Sequence, residues 1–473
     1  MKAYLLLTDR VNRDTELLAQ SLEAAGYSFH TISLAYDGFL QDHAWNPFAY
    51  YTGALDGNRT GKPLYFNRLP VPRHWEITGN FSDGEIIDFD RRRARITYAF
   101  PEYRRYIKTV EWLNDYGRIC TSDHYDRFGK RFAMTVMDAE GKAILRTYYD
   151  SAGCEAITEN LVTRDIILHK DGRDRVFDSI VSFCVHFMHE AGLVAPHIFY
   201  NSLAAPYQIS EYLGRREGIT GDDILFWQEP VPNGIPGNMR TILDGSSPRT
   251  RHVFVQRADA YDRLVSLGAQ KTKMDRLGFV YRLKRENKGT PKALILTNSD
   301  QVERLSELAE ALPEITFTVG ALTEMSRKLL TLGTRPNIIT IPTISGERVE
   351  ALFEECDFYL DINHGREICD AVNKAFFHNL LILGFSQTLH NKACTAPTHV
   401  FRVSEAEQLK NTLLRAVTEP DFRKKCLADQ MHHAMAETPQ RYRELIGGIT
   451  LSPMQDRSAG SARNPLLHSD EEK

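Results

Sequence analysis

The spacing of apolar residues changes twice along the chain, and each change predicts a different kind of element. Ala3–Thr8 is a continuous apolar run of strand length, and in Asp14–Ala25 Leu17, Leu18, Leu22 and Ala25 recur at helical spacing. Gly26 stops that helix and Ser28–Leu34 resumes as a strand. From about Gly61 to Lys170 the period falls to two, as in EIIDF-DRRR-ARITYAF and FAMTVM-DAEG-KAILRTYY. Ile96, Tyr98 and Phe100 then share one face, with Arg93, Arg95 and Thr97 directed away from it. NLVTRDIILHKDGRDRVF repeats the theme around Lys170–Arg173, so this region reads as an antiparallel β-meander inserted into an α/β domain.

The helical period then returns. Val176–Gly192, Tyr207–Arg215 and Ala258–Leu267 read as helices; His197–Asn201, Ile224–Gln228, His252–Gln256 and Arg276–Tyr281 read as strands. After the polar stretch RLKRENKGTPK a second α/β set begins at Ala293–Thr297. It continues through Leu305–Leu312, Ile315–Val319, Ile338–Ile341, Val349–Glu355, Phe358–Ile362 and Ile368–Phe377 to Leu380–Phe385. Alternating strands and helices imply parallel sheets with right-handed crossovers. Two such halves place a ligand cleft between them, beyond the carboxyl ends of the strands. The expected domains are 1–60 with 171–285, the inserted 61–170, and 290–450, whose last helix can pack back on the first domain. The polar tail from about Met454 is expected to be disordered.

Composition narrows the function classes. A chain of 473 residues calls for two or three domains, and a net charge of −4 gives no global reason for nucleic acid or an acidic membrane as partner. The N-terminal apolar run is too short for a signal peptide, and no run approaches the ~18 residues of a membrane span. The seven cysteines are scattered without a CxxC pair, which points to a reducing cytosol and against a disulfide framework or structural zinc. His186 and His189 form an HxxH read as two histidines near one helix face, since no third ligand is evident. Neither metal nor cofactor is expected.

One segment departs from the global charge. Between Arg91 and Arg131 eleven Lys/Arg face five Asp/Glu, a local excess of six positive charges. Arg91, Arg92, Arg93, Arg95, Arg104 and Arg105 interleave there with Tyr98, Tyr103, Tyr106 and Trp112, a composition suited to docking a protein partner. A solvated sheet face and attraction to anionic lipid are the other readings, and no nucleic-acid motif accompanies the patch.

The stretch Tyr359–Phe385, YLDINHGREICDAVNKAFFHNLLILGF, carries the chemistry. A buried strand leads through Asn363-His364-Gly365 into a helix whose Ile368, Ala371, Val372, Ala375 and Phe376 form an apolar stripe. Free N–H groups at Gly365–Ile368 would favour an anion or a sugar hydroxyl; an ordinary βαβ unit with a polar turn is the alternative. With Glu367 at the helix start and Gly384-Phe385 closing the next strand, the layout resembles the C-terminal half of retaining glycosyltransferases of the GT-B fold. That resemblance implies a first glutamate near the donor sugar, matched by Glu367, and a second, seven residues on, that accepts from the ribose. Here Lys374 and Ala375 stand at that place, and a lysine has only donors to offer. The Arg and Lys that neutralise the donor diphosphate in active relatives are replaced by Asn298, Ser299, Asp300 and Gln301, and the first strand is followed by TDRVNRDTE without a glycine-rich turn.

Taken together, GKPLYFNRLPVPRHWEI, WQEPVPNGIPGNM, ALILTNSDQ and the stretch with its sequel FSQTLHN are very similar to the accessory Sec glycosylation chaperones of the GtfB type, over about Met1 to Gly448. The resemblance implies a GT-B-like α/β fold of two Rossmann-type domains facing a cleft, with the antiparallel β-meander inserted in the first. It implies a non-catalytic cytoplasmic subunit that stabilises a catalytic O-GlcNAc transferase and binds a Ser/Thr-rich repeat adhesin before accessory Sec export. Peripheral contact with the membrane or that translocase is a further implication. An active retaining glycosyltransferase using a UDP-sugar remains the alternative. The candidate acceptor residues are Trp227, Gln228 and Glu229 on one side and Asn298, Asp300 and Gln301 on the other, with Asn363, His364, Arg366, Glu367 and His390. Trp227 reads equally as a packing residue, and Arg366 with Glu367 as a solvated pair.

Overall fold

The structure, a computed structural model, describes residues 4–57, 59–231 and 233–449; the tail beginning near Met454 lies outside the described residues. Two units are distinguished, one holding the chain up to Leu277 with the helix Pro439–Gly447, the other Gly278–Thr438.

In the first unit Tyr4–Thr8, all five residues buried, is the axis of a parallel sheet. Phe29–Ser33 and Ala44–Trp45 lie on one side of it, and His197–Tyr200, Asp223–Trp227, Thr250–Val255 and Met274–Arg276 on the other. The chain therefore reverses its direction of build between Tyr4–Thr8 and His197–Tyr200, the switch point at which a crevice opens beyond the strand ends. Asn12 replaces a glycine-rich turn here: its side chain accepts from Thr15 N at 2.9 Å and caps the helix Arg13–Ala24. One buried pair fastens the far end of the sheet. Arg249 and Asp223 are both fully buried and bonded Nε to Oδ2 at 2.7 Å and Nη2 to Oδ1 at 2.9 Å. Arg249 also donates to the carbonyls of Ala195, Ile219 and Thr220, and Asp223 accepts from Ile198 N and Ser210 Oγ, so neither charge is left unmatched.

Ten antiparallel strands run in chain order from Trp75–Gly79 to Arg173–Phe177, each paired with the next. This sheet outlasts the expected end at Lys170, because Asp171-Gly172, both at positive φ, turn the chain back into one more strand. The expected helix start at Val176 is corrected with it: Ser179 caps the helix Ile180–Glu190. Ile86, Ala94, Ile96, Tyr98, Ile107 and Val110 pack against Phe66 and Leu69, while Phe132, Tyr148, Ile157 and Leu168 pack against Phe48 and Phe183. Lys108–Asp37, Arg127–Asp42 and the half-buried Arg59–Asp126 tie the insertion to the parallel-sheet part of its unit.

The second unit repeats the parallel design in the order Ile338–Ile341, Thr316–Gly320, Lys292–Leu296, Phe358–Asp361, Leu381–Phe385, Val400–Phe401. Its switch point lies between Lys292–Leu296 and Phe358–Asp361. The strand expected at Arg276–Tyr281 ends at Arg276. Beyond it, residues 278–281 belong to the second unit, where Phe279 N donates to Met435 O and Tyr281 OH to Ala434 O. Helix Pro439–Gly447 belongs to the first, where Tyr442 is fully buried and stacks on Phe226 at 6.3 Å.

Candidate functional site

At the second switch point two loops are bonded to one another. Thr297, buried at its strand end, donates Oγ1–H to Asn363 Oδ1 at 2.6 Å and accepts from Ser299 N at 3.0 Å. Asn363 Oδ1 also accepts from Gly365 N, and Asn363 Nδ2 donates to Arg366 O. Backbone bonds complete the zip: Glu303 N to Ile362 O at 2.8 Å and His364 N to Gln301 O at 3.1 Å, around a bridge between Val302 and Asn363. Asn298 lies so close on Gly365 that a Cβ there would collide with its Oδ1. The backbone that would approach a phosphate is thus covered by the chain's own side chain.

Glu367 completes the closure. The helix begins at Ala371, not Ile368, after Cys369 and Asp370 at φ 58° and 54°. Glu367 Oε1 accepts from Val372 N at 2.8 Å, so the expected anion site at Gly365–Ile368 is corrected: the helix start is met by an internal carboxylate. Burial raises the Glu367 carboxyl above its ordinary range against that N–H. Lys374, at the place of the missing second glutamate, pairs with Glu350 on the neighbouring helix, and Ala375 is fully buried. Arg304, the residue before the helix Leu305–Ala311, bonds both oxygens of Glu307 at 2.8 Å on the surface.

Of the residues expected on this side, the structure brings Asn298, Asp300, Gln301, Asn363, His364, Arg366, Glu367 and His390 onto one rim. Asn363 and Glu367 are spent inside the zip, and His364 Nε2 is bonded to Glu303 at 2.6 Å. His390 faces inward too, with Nδ1 2.5 Å from Asp361 Oδ1 and Nε2 2.7 Å from Gly365 O. Asn298, Gln301 and Arg366 are exposed, and among the described residues the side chains of Gln301 and Arg366 have no bonded partner.

The first unit corrects the expectation for Trp227 and Gln228. Trp227 is 1% exposed inside the core cluster, so no ring face is offered to a sugar. Gln228 donates to Asp14 O and Gln256 Oε1, both at 2.9 Å, and accepts from Asn201 Nδ2; Gln256 donates to the Tyr442 hydroxyl. These amides bind strand ends to the helices Arg13–Ala24 and Pro439–Gly447. Glu229 is exposed, 3.5 Å from Trp227 Nε1.

The meander patch is also corrected. Arg91 pairs with Asp115, Arg92 with Glu85 and Arg93 with Asp88, two of these carboxylates lying outside the segment whose charge was counted. Tyr98 is 5% exposed, and Trp112 is half-buried with Nε1 on Asp123 at 2.8 Å. Phe100, expected beside Ile96 and Tyr98, lies past the strand end and is exposed. Tyr103 and Tyr106 are half-buried, and Arg105 lies over Phe66 and Phe81. Arg95 and Arg104 are exposed with no charge partner among the described residues. Sequence reasoning missed Phe89 and Tyr116, 88% and 89% exposed on neighbouring hairpin tips that Arg91 and Asp115 link. Phe89 is at φ 56°, a conformation a bulky residue adopts only at a cost. The signal was an aromatic inside a turn, in DFD and DYG. Among the described residues there is no cluster fit for a metal ion and no helix long and apolar enough to cross a membrane.

Two parallel-sheet units and an inserted meander, with the donor crevice closed by its own side chains, define a GT-B-like protein of the glycosyltransferase-associated kind. Four profiles match in chain order: GtfB N-terminal domain over residues 5–51, GtfB middle domain over 75–178, GtfB third domain over 181–267 and GftB/GlyA-F C-terminal domain over 293–430. The chain is similar to the UDP-N-acetylglucosamine–peptide N-acetylglucosaminyltransferase stabilizing protein GtfB of Streptococcus gordonii, 41% identical over 93% of this chain and 99% of that one. It is 39% identical to the protein so named in Streptococcus pneumoniae, over 93% and 98% of the two chains. A chain of a solved GtfA/B complex bound to UDP and GlcNAc superposes with a TM-score of 0.89 at 40% identity, covering 94% of this chain and 99% of that one. This protein belongs to the GtfB family.

Proposed function

We propose that this chain is the non-catalytic subunit that stabilises a catalytic O-GlcNAc transferase and holds the Ser/Thr-rich acceptor protein for it, in the cytoplasm. The observation that carries this is the zipped switch point of the second unit: Thr297, Asn298, Asn363 and Glu367 occupy among themselves the groups a nucleotide diphosphate would need. Phosphoryl leaving groups call for a clamp of several cations or free N–H donors, whereas here the N–H of Val372 is taken by Glu367 and Gly365 is covered by Asn298. What the rim offers instead, Asn298, Gln301 and Arg366, suits the amides and hydroxyls of an extended polar peptide. Family membership supports the stabilising role, since relatives bear that name and one was solved with a GtfA partner.

The partner docks on the meander, through the aromatic tips Phe89 and Tyr116, with exposed Arg95 further along the strand Arg91–Tyr98. A strained, fully presented phenylalanine next to a second exposed aromatic gives anchors of the kind that dominate interface energetics. Fluorescence polarisation with a labelled Ser/Thr-rich peptide tests the acceptor role. Saturable binding to the isolated chain, lost on Arg366→Ala with Gln301→Ala, is expected. Binding only by the catalytic partner would reduce this chain to a scaffold.

A further inference from the structure

His390 was a candidate acceptor contact, yet neither of its ring nitrogens faces solvent chemistry. Nδ1 lies 2.5 Å from the carboxylate of Asp361, which is 1% exposed at the end of the strand Phe358–Asp361. Nε2 lies 2.7 Å from the carbonyl oxygen of Gly365, at the middle of the loop. Both partners accept only. A neutral imidazole has one donor and one acceptor nitrogen, so it would set a lone pair against one of these oxygens; only the imidazolium donates to both. The backbone adds a third bond, His390 N to Asp361 Oδ2 at 2.8 Å.

We propose that His390 is held as an imidazolium and acts as the latch that fixes the loop Asn363–Asp370 on the second sheet, a positioning residue for the rim that carries Asn298, Gln301 and Arg366. The latch spans two strand ends that share no direct ladder to this loop. It joins Asp361, before the loop, to Gly365 within it, through a residue that arrives from beyond Leu381–Phe385. Its charge is what distinguishes it from the Thr297–Asn363 bonds on the other side, because a charge-assisted pair holds more strongly than neutral ones. The charged groups facing the ring are Asp361 from the strand and Glu367 from the loop. The bond to Asp361 is the main cause that lifts the His390 pKa to about 9, against the opposing effect of burial. A raised folded-state pKa means that the latch contributes fully below the ordinary histidine range and is lost as pH rises through about 9. The acceptor half of this inference rests on the function proposed above; the latch itself does not.

The test is the ring-nitrogen NMR spectrum of the full chain labelled at histidine, with His390→Gln used to assign the signals. Two protonated nitrogens at neutral pH, converting to one with a midpoint near 9, are expected. A singly protonated His390 at neutral pH overturns the proposal. In parallel, His390→Gln should raise amide exchange of the segment 361–372 by roughly tenfold while leaving the sheet of the first unit unchanged. Unchanged exchange there would equally defeat it. Affinity for the Ser/Thr-rich peptide should hold at neutral pH, fall through the same midpoint in the wild type, and be weak without that inflection in His390→Gln. A peptide that never binds the wild type defeats the acceptor role of the rim, and the ring state still decides the latch.

Discussion

The two switch points of this molecule are closed by different means. In the first unit the crevice is filled by amides: Asn201, Gln228 and Gln256 are each under a tenth exposed and bonded to one another, to Asp14 O and to Tyr442. In the second the filling is a zip of two loops, whose inner side chains are spent and whose outer ones, Gln301 and Arg366, remain exposed. A buried amide network fixes geometry and presents no exposed side chain to a ligand. A zipped loop fixes geometry and still presents a polar rim. The first crevice anchors the returning helix Pro439–Gly447, whereas the second keeps exposed polar side chains at its rim, where acceptor recognition is proposed.

The comparison can be broken at several depths. Arg249→Met, which leaves Asp223 buried without its partner, should cost about 3–5 kcal/mol, seen as a lower denaturant midpoint of the first-unit transition. Thr297→Val removes the hydroxyl at the centre of the zip and should cost about 1–3 kcal/mol. Amide exchange should rise at residues 297–303 and 361–366 and stay fixed at Asn201 and Gln228. Phe89→Gly should move two readouts in opposite directions. Relief of the left-handed backbone raises stability by about 1 kcal/mol, whereas loss of the ring weakens co-purification with the transferase subunit. The smallest stability effect is expected from Arg366→Ala, within about 0.5 kcal/mol of wild type, with the change confined to peptide affinity.

Much of the architecture was legible because it rests on period. Apolar runs such as LLILGF, of strand length and bounded by turns, are buried strands, and the alternation in ARITYAF gives a one-sided sheet with Ile96 and Tyr98 inward. Period could not reveal where a polar side chain is spent. Asn363, Glu367 and His390 look like ligands in a sequence, because residues that close a loop and residues that bind a peptide have the same chemistry. Charge counting on the meander failed for a related reason. Cross-strand partners Glu85 and Asp88 lie outside any window that holds Arg91–Arg95 alone, so the local excess is reduced in three dimensions. Trp227 was undecidable from sequence, since a strand-end tryptophan is written identically whether it packs or stacks.

The central question is whether the zipped crevice of the second unit still admits a nucleotide sugar. Calorimetric titration of the isolated chain with UDP-GlcNAc measures this directly. No saturable heat and no release of sugar are expected, for the wild type and equally for Arg366→Ala. Saturable binding of UDP-GlcNAc, or GlcNAc released by this chain without a partner, would contradict the proposed non-catalytic role and restore the reading of an active transferase.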